Sequence, residues 1–222
     1  MHIPDGFLTP EVAAGAGVLA AGAVAYGLRR ADETLDERAV PVLGVTGAFV
    51  FAAQMLNFPV AGGTSGHVLG AALAAVLLGP WMACLVLAVV LSMQAFVFAD
   101  GGLTALGANV LNMAVIGGLG AGLVLEAGRR VLPDTRTAFL GLVGIAAWTA
   151  VMAGAAATAA ELALSGTVPL QTVLPTMLGV HALIGVGEAV LTVTAVSAVL
   201  ASRPDLVGAP PPPVPAHRPL EA

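Results

Sequence analysis

The chain contains no lysine. Its eight basic residues are all arginines (Arg29, Arg30, Arg38, Arg129, Arg130, Arg136, Arg203 and Arg218), and with 13 acidic residues they leave a net charge of −5. So small and dispersed a charge excludes the basic footprint of a nucleic-acid-binding protein. Charged residues of all kinds make up only 9% of the sequence, whereas soluble domains carry about 25%. A soluble helical protein needs charged faces on its helices, and whole segments here have none. The single cysteine, Cys84, sits inside an apolar run, which excludes a disulfide framework or a thiolate cluster and leaves it a packing role. Three catalytic signatures are missing as well. Without G-x-x-x-x-G-K-[ST] the chain does not bind ATP through a P-loop. Without H-E-x-x-H a zinc membrane protease is disfavoured. Gly63-Thr64-Ser65-Gly66 lacks the G-x-S-x-G spacing of a serine hydrolase.

What remains is hydrophobic. The mean hydropathy is +0.97, and 58% of the residues are apolar. Runs of about 20 apolar residues recur along the chain, so it reads as an all-α, polytopic integral membrane bundle. The apolar segments fall at 10–28, 40–58, 64–79, 81–99, 104–126, 137–164 and 171–200. The opening MHIPDGFLTPE carries Asp5 and Glu11 and no basic residue, unlike the positive start of a signal peptide, so it is expected to be retained. Residues 1–200 read as a single membrane domain and 201–222 as a proline-rich, extended tail.

The third segment is short. Gly79-Pro80 should break the run 67–99, and a glycine-rich start, Ala61-Gly62-Gly63-Thr64-Ser65-Gly66, should stay unwound before a short helix. Irregular backbone at that depth is tolerated only inside protein or along a cavity. Charge parity bears on whether it crosses. The arginines fall at 29–38, at 129–136 and after 200. Placing all of them in the cytoplasm requires segment 64–79 to cross. Seven transmembrane segments result, with the N-terminus outside and folded into the bundle and the C-terminus cytoplasmic.

The candidate chemistry begins at the N-terminus. A free amine on Met1, the amide nitrogen of His2 and its imidazole can bind one cation together. Amine and amide close a five-membered chelate ring; amide and imidazole Nδ1 close a six-membered one. Three nitrogens then lie in a plane with one position open, an arrangement suited to Ni(II) or Cu(II). Pro4 stiffens the segment and Asp5-Gly6 reads as a turn that folds it back toward the bundle. His67, leaving the unwound stretch for a short membrane helix, could fill the fourth position, because discontinuous helices build transporter binding sites. Several polar groups lie within later spans: Gln94, Asn109 and Asn112 at i, i+3 on one face, Glu161, and His181 and Glu188 seven residues apart. Intramembrane ionisable groups are functional candidates; interhelical hydrogen bonding, or support of a histidine ligand, is the competing role for each.

Four stretches, MHIPDGFL, GGTSGHVLGA, NVLNMAVIGG and HALIGVGEAVLT, in this order and spacing, resemble the CbiM/NikM family. These are the substrate-capture membrane components of energy-coupling-factor importers for cobalt and nickel. The resemblance runs from Met1 to about residue 200. It implies a seven-helix bundle in a prokaryotic cell membrane, with Ni2+ or Co2+ held by the Met1 amine, the His2 amide and imidazole and the His67 imidazole. It also implies that Ser65, Asn109, Asn112, His181 and Glu188 line or support the site. Family members commonly begin Met-His-Ile-Met-Glu-Gly; here Pro4 and Asp5 keep the turn and the acid. Import would require partners: ATPase subunits, a transmembrane coupling subunit and a small accessory membrane subunit. The chain is read as a transporter component, with a metal-dependent intramembrane enzyme and a membrane metal sensor as the rivals. Four planar nitrogens leave little room for a catalytic water, and no signalling segment is visible.

Overall fold

A computed structural model describes residues 1–34 and 39–207 of the chain. Arg38, Arg218, His217 and the proline run of the tail, with the expectations attached to them, lie outside the described residues.

Helix α1 (Pro10–Thr34) opens with proline in its first turn, where the missing amide costs nothing, and with Glu11 beside the positive helix end. α2 (Ala39–Gln54) follows. The chain then stays irregular to Gly70, apart from an antiparallel pairing of β1 (Phe58–Pro59) with β2 (Ser65–Gly66). α3 (Ala71–Leu78) ends at Gly79, whose φ of 81° suits glycine, and Pro80 starts α4 (Pro80–Phe98) at once. The next apolar stretch, Leu106–Val131, is continuous but not uniform. A turn of α5 (Leu106–Asn109) passes into a π-helix, Val110–Leu119, and then into α6 (Gly120–Val131). α7 (Arg136–Leu164) is capped by the Thr135 hydroxyl, which accepts from the Ala138 amide at 3.2 Å. α8 (Leu170–Ser202) completes the bundle, followed by one 3-10 turn, Pro204–Leu206.

All seven apolar segments therefore become helical elements of an all-α membrane bundle. Among the described residues five helices are long and apolar enough to cross a bilayer: Pro10–Asp32, Pro80–Phe98, Leu106–Val131, Arg136–Leu164 and Leu170–Ser202. α2 has 16 residues. α3 has eight, which at about 1.5 Å per residue reaches only ~12 Å. The unwound stretch runs further than the sequence suggests: His67 lies ahead of the short helix rather than at its start. The cause is Glu188. Its carboxylate takes the amides of Leu69 and Gly70 at 2.7 Å each, while Gly70 adopts φ 74°, so the chain turns into the helix only after them.

α3 is the centre of the fold. Ala71 to Val76 are all buried, and the helix touches α2, α4, the π-helix, α6, α7 and α8. α7 and α8 form the most extensive helix pair. The outer faces of α1 and α2 carry exposed Val18, Leu19, Val45 and Phe49, as lipid-facing helices do. Polarity is reversed inside: His2, His67, Asn109, Asn112, Glu161, His181 and Glu188 are all buried.

Candidate functional site

The N-terminal segment does not lie on the bundle; it threads into it. Met1 and Ile3 are fully buried and His2 nearly so. The loop after α4 holds the segment. The Gly102 amide donates to the Ile3 carbonyl at 2.8 Å. The Thr104 amide and hydroxyl donate to Asp5 Oδ1 at 2.7 and 2.6 Å, and these bonds keep the Asp5 carboxyl below the usual carboxylate range. Asn109 grips the backbone from the other side: its Oδ1 accepts from the Ile3 amide at 2.8 Å and its Nδ2 donates to the Ile3 carbonyl at 3.2 Å. Further out, the Thr9 amide donates to the Ser165 hydroxyl at 3.1 Å and the Thr167 hydroxyl to the Phe7 carbonyl. Gly101 and Gly102 make this fit possible. Gly101 has φ 92°, and a Cβ on Gly102 would meet the Asp5 nitrogen at 2.3 Å.

At the inner end of the segment, nitrogens converge. The Met1 amine donates to the carbonyl and hydroxyl of Ser65, the latter at 2.8 Å. The His2 amide donates to the same hydroxyl at 3.0 Å. Two adjacent backbone nitrogens thus aim at one point. The His2 ring stacks on the His67 ring, centroids 4.6 Å apart. His67 Nδ1 lies 2.7 Å from the Val68 carbonyl. A carbonyl only accepts, so in the neutral ring Nδ1 holds the proton and the lone pair is on Nε2. That Nε2 is buried and has no hydrogen-bond partner among the described residues.

The supporting residues divide. His181 uses Nδ1 on the Met177 carbonyl at 2.7 Å, which leaves its buried Nε2 unpartnered among the described residues, and its helix packs against β2, where Ser65 sits. Glu188 acts on backbone, fixing two of the three residues that separate His67 from α3. Asn112 turns away. Its Nδ2 donates to Glu161 at 2.6 Å and to Thr158 at 3.3 Å, both on α7. The two asparagines, expected on one face, part because the helix changes to π geometry at Val110, where i, i+3 spacing no longer stacks side chains.

Two residues of this neighbourhood are absent from the sequence reading. Asp100 places Oδ2 3.7 Å from His2 Nε2 and accepts from Asn57 Nδ2 at 2.9 Å. Partial burial raises its carboxyl, opposed by the Met1 ammonium and Asn57. Gln54 donates to the Leu69 carbonyl at 2.7 Å. Asp100 opens an acid-Gly-Gly turn between two apolar runs, a turn signal that could have marked it; Gln54 has no such signal. A cavity of about 630 Å³ leads to the cluster, lined by His2, Asp5, Thr64, Ser65 and Asp100 among others.

Among the described residues no three His, Cys, Asp or Glu side chains gather as a metal site. A donor set here must use backbone nitrogen. The Met1 amine, the His2 amide, the His2 imidazole and His67 Nε2 are four nitrogens within one buried cluster, the chemistry that favours late first-row divalent ions.

Apolar helices of this length around a buried cluster of nitrogens define a multi-pass membrane bundle. Residues 2–206 match the CbiM family, described as the cobalt uptake substrate-specific transmembrane region, and the chain belongs to that family. The fused nickel transport protein NikMN of Rhodobacter capsulatus is 37% identical over 224 residues, which cover 93% of this chain and 64% of that protein. The cobalt transport protein CbiM 1 of Pelobacter propionicus is 40% identical over 131 residues, 58% of each chain. The crystal structure of a truncated transition metal transporter superposes with a TM-score of 0.84 at 32% identity, covering 90% of this chain and 99% of that one. The chain is thus a multi-pass prokaryotic membrane protein and a component of metal transport.

Proposed function

We propose that this chain captures a Ni2+ or Co2+ ion from outside the cell and hands it inward, holding it with the Met1 amine, the His2 amide nitrogen and imidazole, and His67 Nε2. The observation that carries the reading is the aim of the Met1 amine and the His2 amide at one buried point beside the His67 ring. On loading, the His2 amide proton and one proton of the Met1 ammonium are released to solvent, and the cation takes the place of the Ser65 hydroxyl as the common partner of those two nitrogens. Asn109 then acts as the anchor of the chelating strand, Glu188 and His181 as supports of the His67 stretch, and Asn112 as a tie between the π-helix and α7. Planar nitrogen ligation favours nickel.

The same reading places seven segments across the bilayer, with α2 and the unwound stretch plus α3 completing the five longer helices. Its support is the distribution of arginine. Arg29 and Arg30 lie toward the end of α1, Arg129 and Arg130 in the last turn of α6, Arg136 at the start of α7 and Arg203 after α8. Each is at the end of its helix remote from the threaded N-terminus. Positive residues inside put the candidate site outside and the C-terminal tail in the cytoplasm, with residues 1–200 as one metal-capture domain. Import is driven by ATP hydrolysis in separate subunits, through a transmembrane coupling subunit and with a small accessory membrane subunit. The name of the fused nickel transport protein NikMN supports a transport partner component in general.

The test is calorimetric titration of nickel and cobalt into the purified protein with a free Met1 amine, beside a variant with one alanine inserted between Met1 and His2. The insertion keeps every side chain and changes the chelate. One tight ion in the native chain, lost or reshaped in the insertion, is the expected result. Equal binding by both removes the N-terminus as a ligand, and no binding by either overturns capture.

A further inference from the structure

The cluster contains two imidazoles, and each has two nitrogens that could face an ion. For His67 the main chain decides: the Val68 carbonyl keeps the proton on Nδ1 and the lone pair on Nε2. For His2 no carbonyl among the described residues plays that part. A carboxylate oxygen of Asp100 lies 3.7 Å from its Nε2. That separation is longer than a hydrogen bond, but a negative charge so close still favours the ring form that turns an N–H toward it. Asp100 is itself held, by the Asn57 amide at 2.9 Å and by its place in the turn after α4, where its own amide donates to the Gln94 carbonyl at 3.0 Å. His2 is buried and its Nε2 has no other partner among the described residues. Asp100 thus presents a carboxylate oxygen to the outer nitrogen of the ring.

We propose that Asp100 is a positioning residue for the captured ion: its carboxylate holds the His2 proton on Nε2 and so keeps the Nδ1 lone pair free for the cation. The proposal rests on the capture reading above, in which Nδ1 is the imidazole nitrogen that closes a chelate ring with the His2 amide. With the proton on Nδ1 instead, the ring would be blocked on its chelating side and the lone pair would face a carboxylate. Asp100 also lines the cavity that reaches the cluster, so an arriving cation meets its charge first. The two roles are separable, because a collector of cations changes how fast they arrive and a positioning group changes the ring itself.

The experiment uses the full chain with a free Met1 amine in detergent micelles, its histidines labelled with 15N. Asp100→Asn keeps the shape and the contact to Asn57 while removing the charge; Asp100→Glu restores the charge. The His2 ring nitrogens are read by long-range 1H–15N correlation without metal, and nickel affinity is read by calorimetry. Asp100→Asn is expected to move His2 from the Nε2–H form toward a mixture and to weaken nickel by about 10- to 100-fold, the usual cost of removing a group that orients a ligand. Asp100→Glu should recover part of both. An unchanged His2 pattern in Asp100→Asn overturns the proposal, whether nickel affinity is kept or only the association rate falls with a shallower salt dependence. The alanine insertion keeps the two readings distinct: if it binds nickel as the native chain does, capture through the N-terminus has failed, whatever Asp100 does.

Discussion

Removing the carboxylate of Glu188 should loosen the ion site from a distance. The side chain sits on α8, is 1% exposed, and touches no proposed ligand atom. It holds the amides of Leu69 and Gly70 at 2.7 Å each, the two donors directly before the first turn of α3. Glu188→Ala would leave two buried amides without acceptors, at about 1–3 kcal/mol each, so ~2–6 kcal/mol in all. Glu188→Gln keeps one oxygen and turns an NH2 toward the other amide, so about half of that is expected. The part that appears as displacement of His67 weakens nickel binding, at tenfold for every ~1.4 kcal/mol. The assay pairs thermal unfolding in micelles with nickel calorimetry for the native chain, Glu188→Gln and Glu188→Ala. A graded loss of both stability and affinity, by at least fivefold in affinity for Glu188→Gln, is the expected outcome. Native behaviour of Glu188→Gln in both measurements would refute the reasoning, because the two bonds would then carry nothing.

Gly102→Ala places a Cβ 2.3 Å from the Asp5 nitrogen and 2.6 Å from the Pro4 carbonyl carbon; it should lift the N-terminal strand and abolish tight nickel binding, while Gly15→Ala, with nothing within 4 Å of its Cβ, leaves calorimetric affinity unchanged. Acid should weaken nickel binding, since the nitrogens bind only when deprotonated, and a second, smaller acid effect should come from the Asp5–Thr104 contact. Asp5 is held below its ordinary pKa chiefly by the Thr104 hydroxyl, so its contribution is present above the unfolded carboxylate range and is lost as pH falls through the lowered value. Proteolysis or hydrogen exchange of residues 1–8 against pH should show that loss in the native chain, and Asp5→Asn should flatten it.

The parts of the fold legible in the sequence were those written in composition and punctuation. Long apolar runs gave the helices, and Gly79-Pro80 gave the break between α3 and α4. The proposed chelate is read from position alone: an amine, an amide and an imidazole in consecutive places need no tertiary information. What stayed hidden depended on groups that meet only after folding. The length of the unwound stretch before α3 is set by Glu188, over 100 residues away in sequence. The divergence of Asn109 and Asn112 is set by a π-helix, which local hydrophobicity does not signal because it changes hydrogen-bond register and not side-chain polarity. Asp100 escaped notice for a related reason. As a turn residue it has an ordinary explanation, and only the threaded N-terminus brings His2 against it.

Threading also explains why so many bonds serve nine residues. An N-terminal strand is ordinarily the first part of a chain to fray, yet a chelate built from the terminal amine requires that strand to be the most fixed. The structure resolves the conflict by distributing its anchors. Asn109 and Gly102 fasten Ile3 from opposite sides, Thr104 fastens Asp5, Thr167 fastens Phe7 and Ser165 fastens Thr9. Every anchor lies outside the proposed ligand set and comes from the loop after α4, from Asn109 at the end of α5, or from the turn between α7 and α8. Under the proposed capture reading, a displacement of the loop after α4 and of Asn109 relative to α8, which carries Glu188 and His181, would separate the Met1-His2 strand from the His67 stretch, and release would be sought in that motion.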